Sequence, residues 1–321
     1  MGYWSLKGLT NSLLRNLLSS DYGLTVSVGE IDKMLARSAH LFAPAYEAIR
    51  RALKEGRQVN ADWTGWRVDG INHNLWDFIS PDARAAFFTV SRSTGHSVPE
   101  GVLGKRRPKG QVLNCDGGMA FNAVHGKKQR CWVHLLRKAR QGQEGWEKTS
   151  DAPDWRGLRA MEKLALRILE VARWPQGEEK TTEASKLKAR VRRWFQVERE
   201  GPVAQALQKF LTKHWDELWW WSEVGVYAHN NRAEQGLRPQ IAVKRKLSWG
   251  SRTPRGADRT ALLASVIQTG LLQGIHTGNW GPECCGGSLP SSLGQDLPPP
   301  TEPGICRKKS SVRVSYRRAL P

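Results

Sequence analysis

The apolar positions of this chain change period along its length. Near the start, Leu13, Leu14, Leu17 and Leu18 fall at helical spacing. Ser27-Val28-Gly29-Glu30 has the Ser-x-x-Glu form of a capping box and predicts a helix that starts at Ile31 and runs through Met34, Leu35 and Ala39. Pro44 opens a further predicted helix with Ala45, Tyr46, Ile49, Ala52 and Leu53 on it. These segments fit either a helix-turn-helix DNA-binding element or a plain helical lead-in. From Gln58 the period shortens to two, with Val59, Ala61 and Trp63 alternating with Asn60, Asp62 and Thr64. Asp69-Gly70 predicts a tight hairpin turn. A second strand follows through Leu75, Trp76 and Phe78, and a third through Ala86–Val90. Gly101 to Gly110 reads as a basic linker around Lys105-Arg106-Arg107-Pro108-Lys109. Gln111–Cys115 reads as a short buried strand that ends at Asp116, Gly117-Gly118 breaks it, Met119 to Val124 begins a helix, and Gln129–Val133 is a fifth strand. Three hairpin-joined strands followed by β-α-β predict an α/β fold: a mixed five-stranded sheet flanked by helices.

Beyond residue 135 the period stays helical to about 228. Leu164, Leu166, Ile168, Leu169 and Val171 form one pattern, Phe210, Leu211, Trp215, Leu218 and Trp219 another, and Lys186 to Arg193 is strongly basic. Nine of the fifteen tryptophans lie between 132 and 221, where core packing is the ordinary use of the side chain and base stacking the rarer one. Residues 257–273 are apolar on more than one face and predict a buried helix. Proline and glycine dominate 275–321, so that stretch is expected to be a disordered tail, with a terminal basic cluster from Arg307 to Arg318.

Charge changes the picture more than composition does. Fifty Lys+Arg against thirty Asp+Glu leave a formal charge of +20, which favours a polyanionic partner, DNA or RNA. Five cysteines in no CxxC pair argue against a disulfide framework and for a reducing compartment, so the expected location is the cytoplasm. Cys131-x-x-His134 has no second ligand pair at zinc spacing. No apolar run approaches the ~20 residues of a membrane span.

Against this basic background three acids stand out. Asp62 lies within the first strand, Asp116 at the carboxyl end of the fourth, where open α/β sheets place ligands, and Glu234 on a helix with Asn230 on the same face. Singly, each has an ordinary reading: a polar edge position, a turn aspartate, and a charge at a helix N-terminus capped by Asn230 or Asn231. Together they suit divalent cations acting on a phosphodiester, since Mg²⁺ takes oxygen ligands and two such ions steady the attacking and leaving oxygens.

The strings that carry these acids resemble the IS66 family of bacterial transposases. They are Ala61-Asp62-Trp63-Thr64-Gly65-Trp66-Arg67-Val68, Asn114-Cys115-Asp116-Gly117, Gln129 to Arg137, and Asn230-Asn231-Arg232-Ala233-Glu234-Gln235-Gly236-Leu237-Arg238-Pro239, with a closing segment from Lys244-Arg245-Lys246 to Thr269. Trp63 stands where the family commonly has Glu, and Cys115 where it commonly has Ser. The resemblance implies an RNase H-like catalytic fold of the DDE group, with Asp62, Asp116 and Glu234 as catalytic residues and ligands of Mg²⁺ or Mn²⁺, two ions in all. It implies nicking of transposon ends by hydrolysis, then attack of the freed 3′-hydroxyl on target DNA. Arg232, Arg238, Lys244, Arg245, Lys246 and Arg252 are expected along the DNA path, and Asn230, Asn231, His134 and Arg137 as active-site support. With it the chain divides into an N-terminal helical region (1–57), the first part of the catalytic core (58–137), an all-helical insertion (138–228), the closing helices of the core (229–274) and the tail (275–321). Expected partners are transposon ends and target DNA, a second copy of the chain, and accessory transposition proteins, in the nucleoid of a bacterial cytoplasm. Two other readings fit the same strings: a truncated, inactive remnant that only binds DNA, and another RNase H-like nuclease.

Overall fold

The structure is a computed structural model, and residues 9–144, 153–239 and 250–275 are described. Five strands form one mixed, open sheet in the order β3-β2-β1-β4-β5. They are β1 (Gln58–Val68), β2 (Ile71–Ser80), β3 (Ala85–Ser91), β4 (Val112–Cys115) and β5 (Lys128–Arg130). β1, β2 and β3 pair antiparallel, whereas β4 joins β1 and β5 joins β4 in parallel. The turn between β1 and β2 has Asp69 at φ 52° and Gly70 at φ 73°, the doubly left-handed geometry that matches strand twist. This α/β architecture is consistent with an RNase H-like domain.

Three N-terminal helices precede the sheet: α1 (Asn11–Tyr22), α2 (Val28–Leu41) and α3 (Ala43–Glu55). Both bonds of the Ser27/Glu30 capping box form, and the helix starts at Val28, because Glu30 is its third residue rather than the residue before it. Ile49 and Leu53 of α3 pack with Val59, Ala61, Trp76, Phe78 and Leu113 on one face of the sheet. Leu14, Ile31 and Leu35 pack with Leu263 of α11 (Pro254–Leu272). Each of the three helices thus buries apolar side chains in the core. On the sheet's other face Trp66, Val68, Leu75 and Ile79 meet Leu237 and α11.

Three expectations are corrected. The basic linker is partly helical, with α4 at Ser97–Leu103, and Arg107 within it is buried, donating to the carbonyls of His125, Gln111 and Lys127. The helix expected from Met119 is only a 3-10 turn, Met119–Phe121, so β4 and β5 are joined by a short irregular crossover. The fifth strand ends at Arg130, and Trp132 already begins α5 (Trp132–Gln141), whose Trp132, Leu135, Leu136 and Ala139 are buried at helical spacing.

Beyond α5 come α6 (Pro153–Val171), α7 (Glu178–Gln196) and α8 (Pro202–Lys213), then a 3-10 turn at Trp215–Leu218 and α9 (Trp220–Glu223). Their core joins Leu164, Leu187, Val191, Leu207, Trp219 and Trp221 to Trp132 and Val112. The helical pattern stops short of 228: residues 224–230 are irregular before α10 (Asn231–Pro239). The tail expected from 275 lies outside the described residues, apart from Ile275. Among the described residues no helix is long and apolar enough to cross a membrane.

Candidate active site

The sheet register sets the first two acids side by side. Asn60 pairs with Asn114 across the parallel β1–β4 ladder, so two residues further along each strand Asp62 and Asp116 emerge on the same face. The main-chain N–H of Trp63 donates to Asp62 Oδ1 at 2.8 Å, and that of Gly118 to Asp116 Oδ1 at 2.8 Å. A Cβ at Gly118 would stand 2.8 Å from the same oxygen and would push the Asp116 carboxylate aside.

The third acid arrives on α10, whose start is tied to the strands by a polar layer. Asn230 is fully buried and donates from Nδ2 to the Ala61 carbonyl at 2.8 Å, next to Asp62. Its own main-chain carbonyl accepts from Ala233 and Glu234. Asn114 donates to the carbonyls of Tyr227 (2.6 Å) and His229 (3.1 Å), and Gln58 Oε1 accepts from the Tyr227 N–H at 3.1 Å. Gly236 lets α10 lie close on β2, since a Cβ there would run into Ile79 Cδ1 and stand 2.9 Å from Asp77 Oδ2.

Glu234 faces α5. Arg137 Nη2 stands 3.4 Å from both of its carboxylate oxygens, and His134 Nε2 is 3.8 Å away. Burial lowers the His134 pKa against the pull of Asp116 and Glu234, so the imidazole is neutral near pH 7 and its contact with Glu234 is no ion pair. Burial pushes Asp62 up to about 7, with the charges of Asp116 and Glu234 adding to the rise and Arg137 offsetting part of it. Asp77 lies opposite Asp62 in the β1–β2 ladder, wholly buried, and burial raises its pKa well above the ordinary aspartate value, with the Asp62 charge adding to the rise.

The structure brings Asp62, Asp116, Glu234, Asn230, His134 and Arg137 into one region. Asn231 is the first residue of α10, its N–H directed at His229 Nδ1 (3.4 Å). Arg232 lies over the Tyr227 ring at 5.7 Å, and Arg238 is exposed in the last turn of α10. Arg252 is exposed but does not join the group: its neighbour Ser251 bridges Val68, about 20 Å along β1 from Asp62 at strand rise. Lys244, Arg245 and Lys246 lie outside the described residues.

Two features escaped the sequence reading. Arg130 is fully buried, and its guanidinium donates to Glu217 (2.6 Å), to the Asp116 carbonyl (2.8 Å) and to Asn122 Oδ1 (2.8 Å). A cation inside a predicted strand was a signal, but its partner lies 87 positions away. Asp77 interrupts the apolar run Leu75–Ile79, which was also a signal, yet only the register reveals Asp62 beside it.

These shifts carry a pH dependence. A carboxyl raised by folding keeps its proton after the unfolded chain has released it. Stability is therefore unimpaired below the ordinary pKa, 3.8 for Asp62, and declines as pH climbs toward about 7. In metal-free buffer the melting temperature should fall between pH 5 and pH 8, and should fall less in Asp62→Asn and in Asp77→Asn. Equal slopes in all three proteins would refute this electrostatic account.

The donor set fits a hard divalent cation: the carboxylates of Asp116 and Glu234 are near enough for their charges to act on Asp62, and the Trp63 N–H and Arg137 offset that repulsion only in part. Among the described residues no three His, Cys, Asp or Glu side chains already stand as a finished ligand set. Glu234 leans toward Arg137, and Asp116 is bonded to Gly118. No curated protein matches the chain. The profile of the Transposase IS66 family matches residues 14–259, a span that takes in all five strands, α10 and every acid of the cluster, and the chain belongs to that family.

Proposed function

We propose that this protein is a DDE-type DNA transposase, in which Asp62, Asp116 and Glu234 hold the divalent metal and form the catalytic centre. The observation that carries the reading is the placement of two carboxylates on adjacent parallel strands, with the third on a helix tied by Asn230 to the residue before Asp62. When bound, Mg²⁺ or Mn²⁺ supplies polarisation of the scissile phosphate and a lowered pKa for the attacking oxygen. The chain's own residues hold and aim it. Trp63 N–H and Gly118 N–H fix one oxygen each of Asp62 and Asp116. Arg137 orients Glu234, and His134 lies beside it. In the first step water attacks phosphorus, the P–O3′ bond breaks, and the departing 3′-oxygen takes a proton. In the second the freed 3′-hydroxyl attacks a phosphorus of target DNA and displaces another 3′-oxygen. Residues 58–137 and 229–274 form the catalytic core in this reading, 138–228 the helical insertion and 1–57 the helical lead-in. Arg232 and Arg238, on the helix of Glu234, contact the DNA strand. A second copy of the chain and accessory transposition proteins complete the assembly on paired ends, at the nucleoid.

The test is cleavage of labelled duplexes from the boundaries of the insertion sequence, with Mg²⁺, Mn²⁺ or EDTA. Metal-dependent nicks at the boundary support the proposal. Binding without cleavage would leave an inactive DNA-binding remnant, and cutting of RNA–DNA hybrids alone would point to another RNase H-like nuclease. Gly118→Ala should cut more slowly by about 10- to 100-fold, because a displacement of order 1 Å at a reacting group costs that much. Its melting temperature should stay close to the parent's. An unchanged rate would show that the Asp116 seat is not required.

A further inference from the structure

We propose that the outward face of α7 is a docking surface for the phosphate backbone of duplex DNA, separate from the acid cluster. It rests on the DNA-processing role above but uses none of its residues. The inward face of α7 is given by Ala184, Leu187, Val191 and Trp194, all buried. Lys186, Arg190 and Arg193 are exposed at spacings of four and three, one stripe along a solvent-facing flank of the helix. The stripe spans about 10 Å at helical rise. On the other flank, Lys188 Nζ lies 5.7 Å over the ring of Trp219 and Arg192 Cζ 5.1 Å over that of Trp215. From Lys186 to Arg193 the helix therefore carries five cations and no acid.

Pairing separates these cations from their neighbours. Arg140 and Arg159 are bound to Glu162, and Arg167 to Glu170 and Glu183. The five of α7 have no carboxylate partner among the described residues. The α7 acids, Glu178, Glu179 and Glu183, all precede Lys186. Compensation of the helix dipole accounts for Arg193 in the last turn, but that effect fades within a turn and does not reach Lys186. Like charges four apart repel one another in the free protein, and a polyanion removes that repulsion. The occupant that fits is a regular run of phosphates. The helical layer carrying α7 also abuts the acid cluster: Phe210 of α8 stands 2.9 Å from the Cβ position of Gly117, next to Asp116.

The test is the salt dependence of binding of the full chain to a fluorescent DNA duplex without metal. Lys186→Gln/Arg190→Gln/Arg193→Gln is compared with Arg37→Gln/Arg51→Gln/Lys54→Gln, which removes equal charge from exposed positions of α2 and α3. The α7 triple should lower the slope of log K against log salt by about 2.7, at about 0.9 per lost phosphate contact. At ~100 mM salt its affinity should fall by about tenfold or more, and the control should change much less. Lys186→Arg/Arg190→Lys/Arg193→Lys should bind as the parent does. If the neutral triple does not fold, Arg190→Gln alone should lower the slope by about 0.9. Equal effects of triple and control, or a loss seen with an RNA duplex and not with DNA, would overturn the proposal. Failure of the parent to cleave would count against the catalytic reading and leave this result untouched.

Discussion

Asp62→Asn should abolish strand cleavage, by about a thousandfold or more, and leave DNA binding intact. The amide keeps the shape of the carboxyl and can still accept from Trp63 N–H. It loses the negative charge that the metal requires, and several kcal/mol of transition-state stabilisation with it; about 4 kcal/mol is a thousandfold in rate. The same change should stabilise the metal-free protein at pH 8, where Asp62 is ionised against Asp116 and Glu234 and its pKa stands at about 7. Added Mg²⁺ should raise the melting temperature of the parent and not of the variant. Loss of activity joined to gain of stability is the signature sought. Cleavage by Asp62→Asn within tenfold of the parent would rule out a catalytic role for this acid.

Arg130→Met should destabilise the fold by about 3–5 kcal/mol, the usual cost of removing one partner from a buried charged pair. Three hydrogen bonds disappear together, and the Asp116 carbonyl and Asn122 lose their donor. Glu217 keeps Lys128 (3.1 Å) and His214 (2.9 Å), so its charge is not wholly abandoned. Burial works to raise the Glu217 pKa, but Arg130 and Lys128 hold it below the ordinary value, so the carboxylate stays ionised beside them. Arg130→Met/Glu217→Gln should recover part of the loss. Denaturant unfolding measures both. A loss below about 1 kcal/mol in the single variant would mean that the network behaves as a solvated surface pair.

Much of this architecture was legible in the sequence. The alternation from Val59, the Asp69-Gly70 turn and the apolar run to Cys115 located four of the five strands, because each signal is local. The end of the fifth strand was not legible: Cys131-Trp132-Val133 is as apolar as any strand, and only burial of Trp132, Leu135, Leu136 and Ala139 together makes it a helix. Arg107 was misread for a similar reason. Its neighbours are solvated cations, and the three carbonyls that receive it belong to segments brought close by folding. The strings around Asp62, Asp116 and Glu234 singled out acids that the fold does bring to one region. Two of their supports stayed hidden, since Arg130–Glu217 and Asn114–Tyr227 are pairings between distant stretches, with no periodicity to announce them.

The Trp132 N–H donates to the Ala228 carbonyl at 2.9 Å, although 96 positions (228 − 132) separate the two residues. All the helices between them thus leave and rejoin the sheet through a closed neck. Whatever is threaded through such a neck can lengthen or shorten at small entropic cost, about 0.6 kcal/mol for each doubling of a flexible loop. Growth or loss of helices between α5 and the Trp215–Leu218 turn would leave Arg137 beside Glu234 and Glu217 beside Arg130. Reach toward nucleic acid and the chemistry of cutting it can therefore diversify independently in this scaffold.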